Sequence, residues 1–566
     1  MDYEKLAQLL FPNITKTPED YIKMYPKRDL PQGAYVTRFA PSPTGYLHIG
    51  GVYQATAGLF FAKKSGGVFY LRLEDTDSKR EVAGAANIIY PALKNFGVCP
   101  MEGFISYEDG KETSTGDYGP YIQSRRKEIY QAFAKELVRR GKAYPCFCEG
   151  EDDDEEGGAL DYRKQQKALG LQIGYYGSWA KCRNLTLEQV EENLKAGKPF
   201  KIRIKADGDG QERIIFKDKL RGNINMPKNF IDYVILKSDG SALYHLAHLV
   251  DDTLMHTSLV MRDESWLPSA PLHQQLFEYM NLPMPEYIHT AQIMTVDKET
   301  GNTRKISKRY DKWADSRWFI EKGYPSEAII EYLLNLLNSN FEQWRKENPQ
   351  ASVYDFEISE DKMSKSGAMF DLVKLEDISK TVISKFSAQK VYDSVLEWAK
   401  VYKPEFATHL EQNKQFSLKM FNIERETPKP RKDISKWEDV EQIYSYFYND
   451  KFDVSNEEYS FDSKFDKKDL KELLLRYKDV YNELEEKQEW FSHIKFLGED
   501  MGFASDMKEY KANPQNYKGN YGEVSSIIRM ALTKRSNTPD MYEICKILGK
   551  EEVVRRLDKC IKYLEK

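Results

Sequence analysis

His48 stands in the run Arg38-Phe-Ala-Pro-Ser-Pro-Thr-Gly45-Tyr-Leu-His48-Ile-Gly50-Gly51, where a β-branched and aromatic stretch (34–39) meets a Pro/Ser/Gly turn and helical periodicity begins. Strand, tight loop and helix in that order bring unpaired helix N–H groups and the positive end of the helix dipole to the end of a buried strand, which makes a seat for a triphosphate. Gly50 and Gly51 let a ligand approach the backbone, and His48 can donate a hydrogen bond to developing phosphoryl charge. Glycine turns and single histidines are common in purely structural roles, so the inference rests on the whole string.

Two lysine strings are candidates for the second half of such a site. Lys305-Ile-Ser307-Lys308-Arg309 follows an apolar strand (291–296) and a flexible Asp-Lys-Glu-Thr-Gly-Asn-Thr turn, whereas Lys362-Met-Ser-Lys365-Ser366 follows Asp355-Phe-Glu357-Ile-Ser-Glu360-Asp361. A lysine that serves β- and γ-phosphates needs a mobile loop anchored to the sheet and free of competing anions. On that reasoning Lys305 and Lys308 are the catalytic pair, and the later string, its lysines occupied by neighbouring carboxylates, is a surface coincidence.

Three further groups have suggestive chemistry. Glu74 opens the acidic cluster Glu74-Asp75-Thr76-Asp77 just past an apolar strand (68–73), a position that faces the ligand crevice in open α/β sheets. Thr76 and Asp77, ahead of Glu81, suit a helix N-cap equally well. Arg262 ends another strand (258–262), well placed to take a carboxylate bidentately, with a surface pairing to Asp263 as the plain alternative. Cys146 and Cys148, read as i and i+2 on one strand, point the same way, and Cys182 adds a third thiol. Position 184, two places on, is Asn, so a fourth zinc ligand would have to be a residue such as Tyr176, and buried reduced thiols are the simpler reading.

These groups require elements to hold them. A short helix (3–10) and a Pro-bearing lead-in precede the first strand, and the first long helix starts after Gly51 and stops at Ser65-Gly66-Gly67. Residues 81–142 read as helix-rich, and the acidic run 149–156 as a solvated loop. Strand-length segments at 201–205, 214–216 and 231–236 form an inserted module, after which the α/β pattern returns at 242. Beyond Ser379 amphipathic helices dominate, with Leu470, Leu473, Leu474, Tyr477, Tyr481 and Leu484 forming a core stripe.

At 566 residues, 41% hydrophobic and 31% charged, the chain is long enough for several cores, and a net charge of −5 neither requires nor excludes a nucleic acid partner. No run of 18 apolar residues occurs and the N-terminus has no basic region leading into an apolar one, so no membrane partner and a cytoplasmic location are expected. Six cysteines beside 28 Phe and 37 Tyr imply no disulfide framework.

The string from Arg38 to Gly51 resembles the first signature of class I aminoacyl-tRNA synthetases, in the Ala-Pro-Ser-Pro-Thr-Gly form of the bacterial glutamyl-tRNA synthetase family. Arg72-Leu-Glu-Asp-Thr-Asp, Gly119-Pro-Tyr-Ile-Gln-Ser124, Tyr244-His-Leu-Ala-His248-Leu-Val-Asp251-Asp252, Lys305-Ile-Ser-Lys-Arg and Phe370-Asp-Leu-Val-Lys-Leu are similar to further motifs of that family. The resemblance implies ATP contacts from Pro43, Thr44, His48, Gly50, Gly51, Lys305, Ser307 and Lys308, and glutamate contacts from Arg38, Ala40, Ser42, Glu74, Tyr244 and Arg262. Glu74 would meet the α-amino group, and His248 stands where many relatives carry Asn. Lys429-Pro-Arg431 resembles an Arg-Pro-Arg segment of the anticodon-binding helices, which makes Arg431 a candidate tRNA contact, to a base or to a phosphate.

The implied architecture is α/β and multidomain. An N-terminal extension (1–33) would precede a Rossmann-like catalytic domain in two parts (34–142 and 242–290), interrupted by an α+β acceptor-binding insertion (143–241). A stem-contact region with the lysine loop (291–390) and all-helical anticodon-binding domains (391–566) would complete it. The implied activity joins L-glutamate to tRNA-Glu with ATP and Mg²⁺, with tRNA-Gln left open as a second substrate, in a monomer. Glutaminyl-tRNA synthetases, which usually read Pro-Pro-Glu-Pro-Asn-Gly at 40–45, a truncated paralogue without the C-terminal helices, and a non-catalytic tRNA-binding protein are the alternatives.

Overall fold

Val36, Thr37 and Phe39 favour extended backbone, and the strand they form, β1 (Val36–Phe39), is buried along most of its length, as strands between helical layers are. The computed structural model describes residues 1–76, 82, 84–148, 160–455 and 458–566, so Asp77, Glu81 and the acidic run 149–156 lie outside the described residues. The chain divides into two units, Met1–Ile320 with Ile329–Leu372, and Glu321–Ala328 with Val373–Lys566. The division falls inside the 291–390 segment that the sequence reading treats as one region.

In the first unit, α1 (Tyr3–Leu10) and α2 (Pro18–Met24) precede β1, and α3 (Ile49–Ser65), β2 (Val68–Leu71), α4 (Ala86–Asn95), β3 (Glu102–Glu108) and β4 (Lys111–Thr115) follow it. They build a sheet of order β1-β2-β3-β4, parallel except for β4. Helix α3 ends on Gly66 at φ 68°, and Gly67 passes so close to β1 that a Cβ there would lie 1.9 Å from the Tyr35 carbonyl oxygen. Next come α5 (Lys127–Arg139), β5 (Ala143–Cys146), α6 (Leu160–Ala168), α7 (Leu187–Lys195), β6 (Lys201–Ile204), β7 (Arg213–Asp218), β8 (Gly222–Pro227) and β9 (Val234–Leu236). From β5 onward these fall within 143–241, with an antiparallel sheet β5-β6-β9 and a hairpin β7-β8.

The chain then returns to the first sheet. Helix α8 (Tyr244–Leu254) leads into β10 (Leu259–Asp263), α9 (Ala270–Met280) and β11 (Glu286–Thr290); β10 and β11 are parallel. The Ser258 N–H donates to the Val36 carbonyl at 3.0 Å, which lays β10 beside β1. Strands β12 (Ile293–Val296) and β13 (Thr303–Lys305) carry the lysine loop, helices α10 (Ser316–Lys322), α11 (Ser326–Leu337) and α12 (Phe341–Glu347) follow, and β14 (Ala368–Met369) pairs with β12.

The lead-in is part of this unit. Leu6, Ala7 and Leu10 of α1 are buried, and Lys135 of α5 donates to the Phe11 and Ile14 carbonyls at 3.1 and 2.7 Å. Arg28 lies 3.8 Å over the Tyr118 ring and donates to Glu102 and to the Met255 carbonyl, each at 3.0 Å.

The second unit is helical: α13 (Leu372–Ser384), α14 (Ala388–Tyr402), α15 (Pro404–Gln412), α16 (Lys414–Asn422), α17 (Trp437–Tyr444), α18 (Asn449–Val454), α19 (Lys467–Val480), α20 (Lys487–Asp500), α21 (Met507–Ala512), α22 (Tyr521–Thr533) and α23 (Met541–Leu564). Their apolar faces share one core that includes Trp398, Trp437, Tyr477 and Trp490.

Four expectations need correction. The 81–142 segment contains the hairpin β3-β4, turned by Asp109 and Gly110 at φ 49° and 76°, the positive angles that two-residue hairpin loops require. Leu484 is 81% exposed because α19 ends at Val480, so the stripe stops at the buried Tyr481. The helical unit also holds one pair of two-residue strands, Phe503–Ala504 with Gly519–Asn520. Strand β5 ends at Cys146, which leaves Cys148 beyond it. Among the described residues no helix is long and apolar enough to cross a membrane.

Candidate active site

At or just past the carboxyl ends of β1, β2 and β10 stand Arg38, Ala40, Ser42, Glu74 and Arg262, the positions that face a ligand crevice in open α/β sheets. His48 is the N-cap of α3, and its Nδ1 accepts from the Gly50 N–H at 3.0 Å, so the neutral ring carries its proton on Nε2 as a donor. Burial, then Lys308 and Lys305, push its pKa down to about 4, so it is uncharged at neutral pH. Gly51 has a packing role beside the expected one, since a Cβ there would lie 3.2 Å from the Phe39 ring. Pro43 is buried and Thr44 exposed in the intervening loop, while Ala40 and Ser42 line its start.

Lys308 reaches across to this loop and donates to the Tyr46 carbonyl, and Arg317 lies 3.5 Å over the Tyr46 ring. Lys305, half-exposed, is 3.8 Å from Asp263. Ser307 donates its N–H to Asp311 at 3.0 Å, and Arg304 clamps Asp311 and Asp297, fixing both ends of the turn. The lysine loop is therefore not free of anions; its acids are held by Arg304.

The later string is exposed at Lys362, Lys365 and Ser366. Glu360 pairs with Lys219, Asp355 caps Ser352, Met363 is buried, and β14 extends the sheet that bears the lysine loop. What separates the two strings is reach, because Lys305 and Lys308 are the lysines that bear on His48.

Behind the crevice lies a buried charge network that sequence reasoning missed. Arg38 donates to Asp252 at 3.2 Å, Arg72 to Asp252 at 2.8 Å and to Glu74 at 3.3 Å, and Arg126 to Asp251 at 2.7 Å. Gln123 and Tyr130 each donate to Asp251 at 2.9 Å. Burial raises the Asp252 pKa, but Arg38 and Arg72 outweigh it and hold the carboxyl well below the usual range. Burial likewise lifts Glu74, partly offset by Arg72 and Arg38. The Asp251-Asp252 string was visible among the motifs; its partners are far away in sequence.

Arg262 differs from the other three arginines. Its Nε donates to His289 Nε2 at 2.8 Å, and its Nη1 to the Tyr244 hydroxyl at 3.2 Å and to His273 at 3.1 Å. Nη2 is buried with no hydrogen-bond partner among the described residues. Arg38, Arg72 and Arg126 each sit on a carboxylate, whereas the described partners of Arg262 are all neutral. Asp263, the expected alternative partner, instead accepts from Gln292 at 2.9 Å. His248 stacks near Tyr244, with Nδ1 2.6 Å from Asp252 and Nε2 2.7 Å from the Tyr287 hydroxyl.

The three thiols also converge, their sulfurs within 4.8 Å of one another. Cys148 lies 3.6 Å from Cys182 and 3.3 Å from the Tyr175 hydroxyl, which is 3.8 Å from Cys146. Tyr175 therefore stands where Tyr176 was expected, since the Tyr176 hydroxyl donates to the Gln172 carbonyl at 2.6 Å. Three converging sulfurs suit Zn²⁺, and the Tyr175 hydroxyl lies beside two of them.

In the second unit Arg431 donates to Asp433 at 2.9 Å and borders two cavities, of about 220 and about 460 Å³. Thr538 and Pro539 line both, and Arg535 and Lys432 add positive charge to the larger.

Residues 34–377 match the family described as tRNA synthetases class I (E and Q), catalytic domain, and residues 405–561 match the anticodon binding domain. The chain belongs to this class I E/Q synthetase family. Within it the chain is 45% identical to the glutamate–tRNA ligase of Clostridium perfringens strain 13 over 98% of its own length and all of that protein's. It is 43% identical to that of Acetivibrio thermocellus, over 99% of this chain and all of the relative. A solved glutamate tRNA ligase from Elizabethkingia meningosepticum, in complex with its amino acid, superimposes with a TM-score of 0.70 at 26% identity. That match covers 94% of this chain and 99% of the other.

Proposed function

We infer that the protein is a glutamate–tRNA ligase, joining L-glutamate to the 3′ end of tRNA-Glu through a glutamyl-adenylate. The observation that carries the choice of amino acid is Arg262, a buried guanidinium whose described partners are neutral and whose Nη2 has no hydrogen-bond partner among the described residues. A buried charge of this kind is stabilised by a ligand carboxylate and not by a carboxamide, which favours glutamate over glutamine. Glu74, just past the end of β2, offers a carboxylate to the α-ammonium, and Tyr244, Arg38, Ala40 and Ser42 complete the proposed glutamate site.

The reaction needs no protein nucleophile. The α-carboxylate oxygen of glutamate attacks the α-phosphorus of ATP, which arrives as its Mg²⁺ complex, and the bond to the β-phosphate breaks as pyrophosphate leaves. A 3′-terminal ribose hydroxyl then attacks the acyl carbon and AMP departs. Neutral His48 donates to the phosphoryl oxygens, and Lys305 and Lys308 offset charge on the leaving pyrophosphate, with Pro43, Thr44, Gly50, Gly51 and Ser307 shaping the seat. Arg431, between two cavities, is the assigned tRNA contact of the helical unit. Cys146, Cys148, Cys182 and Tyr175 would hold Zn²⁺, which would cross-link the end of β5 to the segment 175–182. The protein is assigned to the cytoplasm and as a monomer.

Charging assays with labelled glutamate and glutamine, each against tRNA-Glu and tRNA-Gln, test this reading. Glutamate on tRNA-Glu is expected; glutamate on tRNA-Gln as well would mean a relaxed anticodon reader. Absence of transfer with either amino acid would overturn the assignment.

A further inference from the structure

Arg262 and His289 are register partners on the parallel strands β10 and β11, so their side chains leave the sheet side by side. Asp218, the last residue of β7, accepts from the His289 N–H at 2.9 Å and lies 2.7 Å from its Nδ1. The proton therefore sits on Nδ1, and Nε2 presents a lone pair to Arg262 Nε. On the other side an arginine can only donate, so His273 Nδ1 is the lone-pair nitrogen facing Nη1, and its Nε2–H points to His245 Nδ1 at 2.9 Å. Burial pushes both rings below the ordinary histidine range, keeping them neutral acceptors.

An Asp or Glu in either place would orient the guanidinium equally well but would cancel its charge. We propose that His289 and His273 are positioning residues for amino-acid selection: two neutral acceptors fix Nε and Nη1 of Arg262 and leave Nη2 and the undiminished charge for the substrate's side-chain carboxylate. Asp218 fixes the tautomer of His289 from one ring away. The inference rests on the reading of Arg262 as the glutamate side-chain contact.

The test uses the amide side chains that mimic one ring nitrogen or the other. The oxygen of Gln reaches the place of Nε2 and that of Asn the place of Nδ1, so the tolerated residue should invert between the two sites. In charging of tRNA-Glu, His289→Gln and His273→Asn are expected to keep the glutamate KM within about threefold of the parent. His289→Asn and His273→Gln should raise it about tenfold or more and lower the glutamate-over-glutamine preference. The ATP KM and the kcat at saturating glutamate should stay within about threefold, as expected when binding remote from the reacting atoms is lost. Equal behaviour of Asn and Gln in either pair would overturn the proposal, and if one pair yields no folded protein the other decides it. Arg262→Ala separates the two layers: an unchanged glutamate KM there would remove the reading of Arg262 itself.

Discussion

His48 is a neutral donor because its other nitrogen is spent on capping α3, so the residue that starts the helix is also the one proposed to serve the phosphates. Lys308, which helps hold His48 uncharged, is the proposed partner in that role. Lys308→Ala is therefore expected to slow charging about a hundredfold, on the order of 3 kcal/mol, while Lys365→Ala stays near the parent rate. The reverse ranking in single-turnover charging would show that the later string is the catalytic one. The places of His48 at a helix start and of Glu74 just past a strand were legible in the sequence, because each lies in a contiguous string. The counter-ions were not, because Asp252 stands 214 residues from Arg38 and nothing local links them.

Among elements, the strand–loop–helix units were readable because each carries its own punctuation, a Pro/Ser/Gly turn or a Gly-Gly stop. The hairpin β3-β4 also had its signal in Asp109-Gly110, but a segment judged by its flanking helical periodicity concealed it. The thiol loop was half legible. Cysteine spacing named three candidate donors, and only the fold, by turning Tyr175 toward them and the Tyr176 hydroxyl to the Gln172 carbonyl, shows which tyrosine stands beside them. Metal analysis of the purified protein is expected to find about one zinc per chain, and its removal by a chelator to lower Tm. A metal-free protein with an unchanged melting curve in chelator would leave the cluster as reduced thiols.

For the whole molecule, the split into an α/β unit and a helical unit followed from the change in periodicity, whereas the exact division within 291–390 depends on contacts that periodicity does not report. The α/β unit also has a collective response to acid. His48 and His248 are both pushed down to about 4, with burial as the leading cause, and burial lowers His273 and His289 too. In the unfolded chain each titrates near 6.5, so below about that pH the unfolded state takes up protons that the native state refuses. Stability is full above that range and falls as pH drops toward 4, by on the order of 2 kcal/mol at pH 5 for each of His48 and His248, with His273 and His289 acting in the same direction. Melting temperature should therefore decline from pH 7.5 to pH 5; a flat or rising curve would contradict the neutral cluster.

The strap formed by the first 33 residues has a consequence for synthesis on the ribosome. Arg28 closes on the Met255 carbonyl, 227 residues later in the chain. At translation rates of about 5–20 residues per second the segment emerges roughly 10–45 s before that partner exists. Its buried apolar side chains wait less long: Tyr21 donates to Glu128 of α5, 107 residues on, and until α5 is made Leu6, Leu10 and Tyr21 must be tolerated in water or covered by another protein. The Arg28 contact is thus made only after most of the first unit has been synthesised.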